Sequence, residues 1–273
     1  MKISVIIPVG DKEAWRVCEE SIQASIAAYH GDVVAEVLPC WDLEHQGAYV
    51  ARNEGLTKAT GDWIAWVDCD DVVERNWFSE IAETIVAHGE ADVIQFDATE
   101  VKDGKERPLA YRYGGTVSAE AFARELLRND GMPAWLWTRV LRRTLFAELQ
   151  FDGRVKQDYE MFLKLLPRVR AVWSIGRPLY RYIRHGHGLS NYVQEMDYTA
   201  AGNVFREHIL RLPQEWQGDA WIGLALTMAD VAVHSKGNNG AASWVRRYLG
   251  RVLLDFGVPV RLKVKCLLAA LKG

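Results

Sequence analysis

The chain has 273 residues, 49% of them apolar and 25% charged, with a formal net charge of −3. That balance suits one large globular domain, or one domain with an appendage, and it excludes a globally basic nucleic-acid-binding chain. The four cysteines (Cys18, Cys40, Cys69, Cys266) lack any Cys-x-x-Cys or histidine spacing; they are expected to be free thiols in a reducing compartment, not a disulfide or zinc framework. The first residues enter a strand directly, without a leader pattern, and no segment reaches the roughly 18–20 uninterrupted apolar residues of a spanning helix. A cytoplasmic protein is expected.

Ile3 to Val9 is a β-rich apolar run with Pro8 near its end, the first strand. Asp11 can cap the next helix, whose Trp15, Cys18, Ile22, Ile26 and Tyr29 keep helical spacing until Gly31. Val33 to Leu38 predicts a second strand, Gly47 to Thr60 a helix ended by Gly61, and Trp63 to Val67 a third strand. That strand runs straight into Asp68-Cys69-Asp70-Asp71. Apolar residues without alternation mark a strand covered on both faces, and in such sheets ligands bind beyond the carboxyl ends of the strands. Carboxylates this close repel one another, so they need solvent or a cation, and Mg²⁺ or Mn²⁺ fits best. The alternative is that Asp70 and Asp71 cap the helix beginning near Asn76, which runs through His88. Val93 to Phe96 predicts the fourth strand. Strands and helices alternating at this pitch predict a mostly parallel α/β sheet.

The pattern then changes. Asp103-Gly104 signals a hairpin between short polar strands, and Ser118 can cap a helix reaching about Arg128. A loop at Asp130–Pro133 leads into Trp135-Leu136-Trp137. Phe151-Asp152-Gly153 turns the chain toward a helix holding Asp158, Phe162, Leu165 and Leu166. Two short strands are expected at Ala171–Ile175 and Pro178–Tyr182, before His185-Gly186-His187-Gly188. From about Glu195 onward the chain reads as helix, broken near Pro213, Gly237–Gly240 and Pro259.

In order and spacing these segments resemble bacterial family 2 glycosyltransferases of the GT-A fold. Ile3-Ser4-Val5-Ile6-Ile7-Pro8-Val9 is similar to their opening strand, and Gly47–Gly55 to the segment before their metal site. Gly61-Asp62-Trp63 through Asp68-Cys69-Asp70-Asp71 resembles their metal-binding strand and Asp-x-Asp. Phe151-Asp152 and Lys156-Gln157-Asp158-Tyr159-Glu160-Met161-Phe162 resemble the acceptor-side motif, with Gln157-Asp158 where Glu-Asp is usual. Pro178–Tyr182 and the histidine loop to Ser190 follow in register. The resemblance covers about residues 2–190.

It implies transfer of a sugar from a nucleotide-sugar, UDP being the commonest donor, to an acceptor hydroxyl with inversion. Asp70 and Asp68 would hold the metal, with Asp68 also facing the ribose, and Asp158 would act as general base or simply cap its helix. Pro8, Val9, Asp11, Asp42, Arg52 and Asp68 are the candidate nucleotide-sugar contacts. Arg52 reads equally as a structural ion-pair partner. Trp135 and Trp137 could stack on a sugar or pack internally; Gln157, His185 and His187 are the remaining acceptor or loop candidates. Two departures bear on the donor base. Gly10-Asp11 replaces the usual Tyr-Asn, and Cys40-Trp41-Asp42-Leu43-Glu44 replaces Asp-Asp-Gly-Ser, leaving Asp42 and Trp41 to meet the nucleoside.

The tail is unlike the rest. From Trp244 to Gly273 seven basic residues (Arg246, Arg247, Arg251, Arg261, Lys263, Lys265, Lys272) stand against one acid, Asp255. Interleaved with apolar positions, they read as basic amphipathic helices for an anionic membrane surface, with packing on the catalytic domain or a homodimer contact as alternatives. The expected organisation is a GT-A catalytic domain at 1–192, with a nucleotide-sugar half to about 98 and an acceptor half beyond it, followed by a helical region at 193–273. The expected function is an inverting glycosyltransferase of surface polysaccharide synthesis, acting on a saccharide or lipid-linked acceptor at the inner face of the membrane. A catalytically silent GT-A scaffold and a nucleotidyltransferase are the rival readings; the second lacks a glycine-rich basic loop after the first strand.

Overall fold

The computed structural model describes residues 1–42, 44, 46–111, 114–128, 134–152, 156–184, 198–234 and 240–272. They divide into two compact units: residues 1–119, 135–157 and 168–185, and residues 120–134, 158–167 and 186–273. The expected single boundary at residue 192 therefore differs from this grouping. The helices Ala119–Arg128 (α4) and Gln157–Leu165 (α5) belong almost wholly to the second unit, because their apolar faces pack on residues there. Phe122 meets Phe162 edge-on, and Tyr159 meets Phe205 and donates its hydroxyl to the Leu127 carbonyl.

The first unit is built on one sheet. Strands Lys2–Val9 (β1), Val34–Trp41 (β2) and Trp63–Trp66 (β3) pair in parallel with β1 between the others. Every residue of β1 from Ile3 to Val9 is buried. Ile3, Val5, Ile7 and Val9 share a core with Trp15, Cys18 and Ile22 of helix Lys12–Ala27 (α1), and with Trp77, Phe78 and Ile81 of helix Trp77–Ala87 (α3). Ile6 points the other way, onto helix Ala48–Lys58 (α2). There Gly55 lets the helix backbone approach so closely that a Cβ would collide with the Ile6 side chain and press on Cys40 Sγ. Two apolar faces on one strand are the physical meaning of its unbroken hydrophobic run.

Beyond β3 the sheet becomes mixed. Arg139–Arg142 (β8) runs antiparallel between β3 and Val93–Lys102 (β5), and Ala171–Ile183 (β9) lies parallel to β5. Val72–Val73 (β4), Lys105–Leu109 (β6) and Gly115–Ser118 (β7) complete it from the edges. The expected α/β architecture, a sheet flanked by helices, is the one found. Two expectations are corrected. The strands expected at Ala171–Ile175 and Pro178–Tyr182 are one strand, since Gly176 takes a positive φ of 66° and the pairing with β5 slips across Asp97 instead of breaking. Asn76, expected from its residue type to cap α3, does stand at the cap position but makes no capping bond from its side chain.

On the β2 side Glu36 ties three segments together. It accepts bonds from Ser4 Oγ (2.5 Å), Thr60 Oγ1 (2.6 Å) and Thr60 N–H (2.9 Å). Partial burial works against the ionised form, but these donors and nearby Lys2 hold its pKa down to about 2. A carboxylate depressed in this way adds stability above its ordinary value of 4.5 and loses it as pH falls toward 2.

The second unit is helical: α4, α5, Tyr198–Arg211 (α6), Gln214–His234 (α7), Ala241–Leu254 (α8) and Val260–Ala270 (α9). Helix α7 is buried on nearly every side from Ala220 to Ala232, which makes it the central helix. Arg128 of α4 clamps the bundle, reaching Asp219 of α7 at 2.8 Å and Asp255 after α8 at 2.6 Å. Inside, Glu160 pairs with Lys164 at 2.7 Å and faces His208 at 3.9 Å.

Two stability predictions follow from these contacts. A Cβ on Gly223 of α7 would collide with the Leu127 carbonyl of α4, so Gly223→Ala should cost about 1–3 kcal/mol in urea unfolding, as overpacking does; an unchanged midpoint would refute the close contact. Between pH 5 and pH 2, Glu36→Gln should lose less stability than the parent chain, and equal losses would refute the Glu36 network.

Candidate active site

The sequence places three carboxylates in four residues, and the fold decides what each one meets. Strand β3 ends at Trp66, and Val67 N–H still bonds to the Ile6 carbonyl before the chain turns through Asp68–Asp71. Asp71 N–H bonds back to the Asp68 carbonyl at 3.1 Å, which closes the turn. Asp70 is exposed, Asp68 is half-buried, and Asp71 is only 1% exposed. The three side chains thus face different environments.

Asp71 turns inward to β9. Its Oδ1 accepts from Ile183 N–H at 2.7 Å and its Oδ2 from the Tyr180 hydroxyl at 2.8 Å. The same hydroxyl accepts from Asp68 N–H at 3.0 Å. Burial first, then the charges of Asp68 and Asp70, push the Asp71 carboxyl up to about 9, although both donors oppose the rise. Burial, followed by the charge of Asp71, also raises Tyr180 well above an ordinary phenol, so it stays a proton donor. The loop is therefore aimed outward by its one buried carboxylate.

Arg52 meets the other side of the loop. This buried guanidinium of α2 lies 3.3 Å from Asp68 Oδ1, donates to Gln157 Oε1 at 2.9 Å, and stands 5.6 Å from the Phe151 ring centre. Asn53, next in α2, exchanges two bonds with the Phe151 backbone, at 2.8 and 2.9 Å. Two segments about a hundred residues apart are thereby joined: the one before the acidic loop and the one before Asp158. Asp158 itself lies in the first turn of α5, half-buried.

The end of β1 forms a further wall. Burial raises the Cys69 thiol, while the backbone N–H groups of Gly10 and Asp11 hold it back, which places the turn after β1 against the acidic loop. Pro8 and Val9 are buried, and Val9 offers its carbonyl to Asp42 N–H at 2.9 Å. The Asp11 carboxylate caps α1 through Glu13 and Ala14 N–H. Asp42 accepts from Gln46 and Gly47 N–H, each at 2.7 Å, and so shapes the entry to α2. Trp41 ends β2 and is 39% exposed.

Trp137 is buried and stacks with Tyr180 (4.6 Å between ring centres) and with Trp135 (4.7 Å). Trp135 is half-buried and Trp137 packs within the core, so the two indoles differ in what they could offer a sugar. His185 and His187 lie outside the described residues. Tyr180 was not expected at the site, and Asp71 was expected only as one of the loop carboxylates or as a helix cap, not as the buried one. Tyr180 is 109 residues from Asp71, and only the pairing of β4 with β9 brings them together.

Comparison with known proteins is consistent with this geometry. The family model "Glycosyl transferase family 2" matches residues 42–149, the stretch that holds the acidic loop. The comparisons support a family 2 glycosyltransferase. An Escherichia coli K12 protein described as "Uncharacterized glycosyltransferase YibD" is 34% identical, covering 69% of this chain and 63% of its own length. "Glycosyltransferase GlyA" of Streptococcus pneumoniae is 23% identical, covering 68% of this chain and 31% of its own. The chain thus spans from about a third to just under two thirds of these curated relatives. Among solved structures, S. aureus TarS 1-349 in complex with UDP-GlcNAc superposes with a TM-score of 0.67 at 14% identity, covering 97% of this chain and 84% of that one. At that identity the match speaks for the fold.

Tyr180→Phe keeps the ring stacking but deprives Asp68 N–H and Asp71 Oδ2 of their shared hydroxyl. It should cost about 1–3 kcal/mol in denaturant unfolding; an unaltered midpoint would show that the hydroxyl does not hold the loop.

Proposed function

We propose that this chain transfers a sugar, with inversion, from a UDP-linked donor to a hydroxyl of a saccharide or lipid-linked glycan, in the building of a bacterial surface polysaccharide. The observation that carries the reading is the outward-facing pair Asp68 and Asp70 at the carboxyl end of β3, with Asp71 tied to Tyr180 and Ile183 behind them. The UDP-GlcNAc bound by TarS, whose fold is shared, supports a nucleotide-sugar donor.

The donor set fits a hard divalent cation. These are all-oxygen ligands, and the charges of Asp68 and Asp70 add to burial in raising their buried neighbour Asp71. Asp70 and Asp68 would hold Mn²⁺ or Mg²⁺, which when bound supplies positive charge to the departing diphosphate. Arg52 keeps Asp68 in place and fixes Gln157. The next residue, Asp158, is proposed as the general base that takes the acceptor hydroxyl's proton, because it occupies the motif position that the family uses for this. Pro8, Val9, Asp11 and Asp42 frame the proposed nucleoside side. Their backbone roles leave the carboxylates of Asp11 and Asp42 with unused lone pairs for a base or ribose.

A lipid-linked acceptor would place the protein at the inner face of the cell membrane, in keeping with its basic C-terminal helices. One observation favours a silent scaffold instead: in place of the usual base-binding segment, Asp42 closes a turn.

A thermal-shift series with UDP, UDP-sugars and other nucleotides, with and without Mn²⁺, separates the two. Ligand at a hundred times its Kd should raise Tm by roughly 5–10 °C. The rise should need metal and vanish in Asp70→Ala. Asp158→Asn should retain the shift yet lose sugar release from the donor by at least about a hundredfold. No metal-dependent shift with any nucleotide would favour the scaffold.

A further inference from the structure

Helix α9 lies on the second unit with apolar residues on both of its sides. Toward the bundle it buries Cys266 and Ala269. Outward it presents Val260, Val264, Leu267, Leu268 and Leu271, spaced at i, i+4, i+7, i+8 and i+11, and all of them exposed. The α8–α9 connection adds Leu254, 80% exposed, and Phe256, fully exposed. A surface helix of a globular protein ordinarily turns its polar face to water; this one turns a continuous apolar stripe, and contiguous exposed patches of this kind mark interaction surfaces.

The helix is not free to roll and hide the stripe. Lys265 pairs with Asp230 of α7, Lys272 reaches the Val233 carbonyl, and Arg246 of α8 donates to the Ala270 carbonyl at 3.0 Å. Lys263 is bonded to the Leu253 carbonyl at 2.9 Å. These cations border the stripe at helical spacing, with Arg261, Lys265 and Lys272 along one side and Lys263 along the other. Arg251 and Arg261 are exposed and make no ion pair among the described residues. The region's single acid, Asp255, is engaged by Arg128 and by Gly257 N–H.

We propose that this stripe, with Phe256 and Leu254 at its entry, is a docking face for an anionic phospholipid bilayer. The apolar side chains enter the headgroup–acyl boundary while Arg251 and Arg261 meet lipid phosphates. Charge selects the occupant, since an uncharged apolar partner would not need cations along the border of the stripe. The inference deepens the membrane location in the proposed function by naming the surface and the lipid class, and it does not involve the donor site.

Co-sedimentation of the full chain with phosphatidylglycerol–phosphatidylcholine vesicles tests it. Binding should appear with phosphatidylglycerol, be weak with phosphatidylcholine alone, and weaken as salt is raised. Phe256→Ser with Leu267→Ser should reduce partitioning about tenfold or more, and Arg251→Glu with Arg261→Glu should remove the lipid preference. All four residues are exposed, so the variants should keep the parent's circular dichroism and nucleotide-induced thermal shift; the latter reports the donor site independently. No binding to either vesicle, or binding indifferent to both pairs of substitutions, would overturn the proposal. So would self-association in solution lost in Phe256→Ser/Leu267→Ser without vesicle binding, which would assign the stripe to a second copy of the chain.

Discussion

Mutual repulsion among Asp68, Asp70 and Asp71 is the constraint that the first unit resolves. Three carboxylates in four residues would separate into solvent if the backbone alone held them. Burying one of them costs free energy, and the cost is visible in how far Asp71 is pushed from an ordinary carboxylate. The buried carboxylate is tolerated because Tyr180 and Ile183 N–H meet its two oxygens. In return it anchors the turn to β9, and Asp68 and Asp70 are left facing outward. Arg52 completes the arrangement by neutralising the inner flank of Asp68 while keeping hold of Gln157. A strand edge, a helix and the approach to α5 thus converge on one short loop, and the chemistry proposed for this protein depends on that convergence.

The same economy appears around it in uncharged form. Trp137 stacks with Tyr180, so the ring that holds the hydroxyl against Asp71 is itself fixed by the core. Cys69, between the outward carboxylates, turns back to the backbone of Gly10 and Asp11 and keeps the ends of β1 and β3 together. In the second unit the organising contact is also ionic. Arg128 holds α7 and the end of α8 through Asp219 and Asp255, and α9 is seated by Lys265, Lys272 and Arg246. With its inner face so fixed, α9 has no way to bury its outer leucines, and a structural role inside the bundle does not account for them.

What could be read from the residues follows from period and spacing. The unbroken apolar runs of β1 and β3, the 3.6-residue pattern of α1 and α3, and the glycines and prolines between the late helices are local signals. They are sufficient for the α/β class and the acidic turn; the family came from the resemblance of the motifs placed on them. The antiparallel strand β8 was not legible: Arg139-Val140-Leu141-Arg142 is four residues long with a cation at each end. It becomes a strand only because β3 and β5 leave a place between them and Arg142 can lie over the Trp63 ring. The single strand β9 was hidden for a related reason, since a glycine at positive φ looks like a break until a neighbouring strand pairs on both sides of it.

The sequence by itself determined which chemical groups this protein has to work with: carboxylates after a buried strand, an arginine and an acidic motif downstream, and a basic tail. Those choices are local, and they follow from side-chain chemistry and periodicity. The tertiary structure alone decided how each group is used. It turned Asp71 inward and left Asp70 outward, brought Tyr180 to the loop from 109 residues away, and joined Arg52 to Gln157. It also decided which stripe of α9 faces solvent, since the helix has apolar residues on two sides and only its seat on α7 and α8 distinguishes them. Long-range partners set the burial and charge around each side chain, and local sequence carries no record of them.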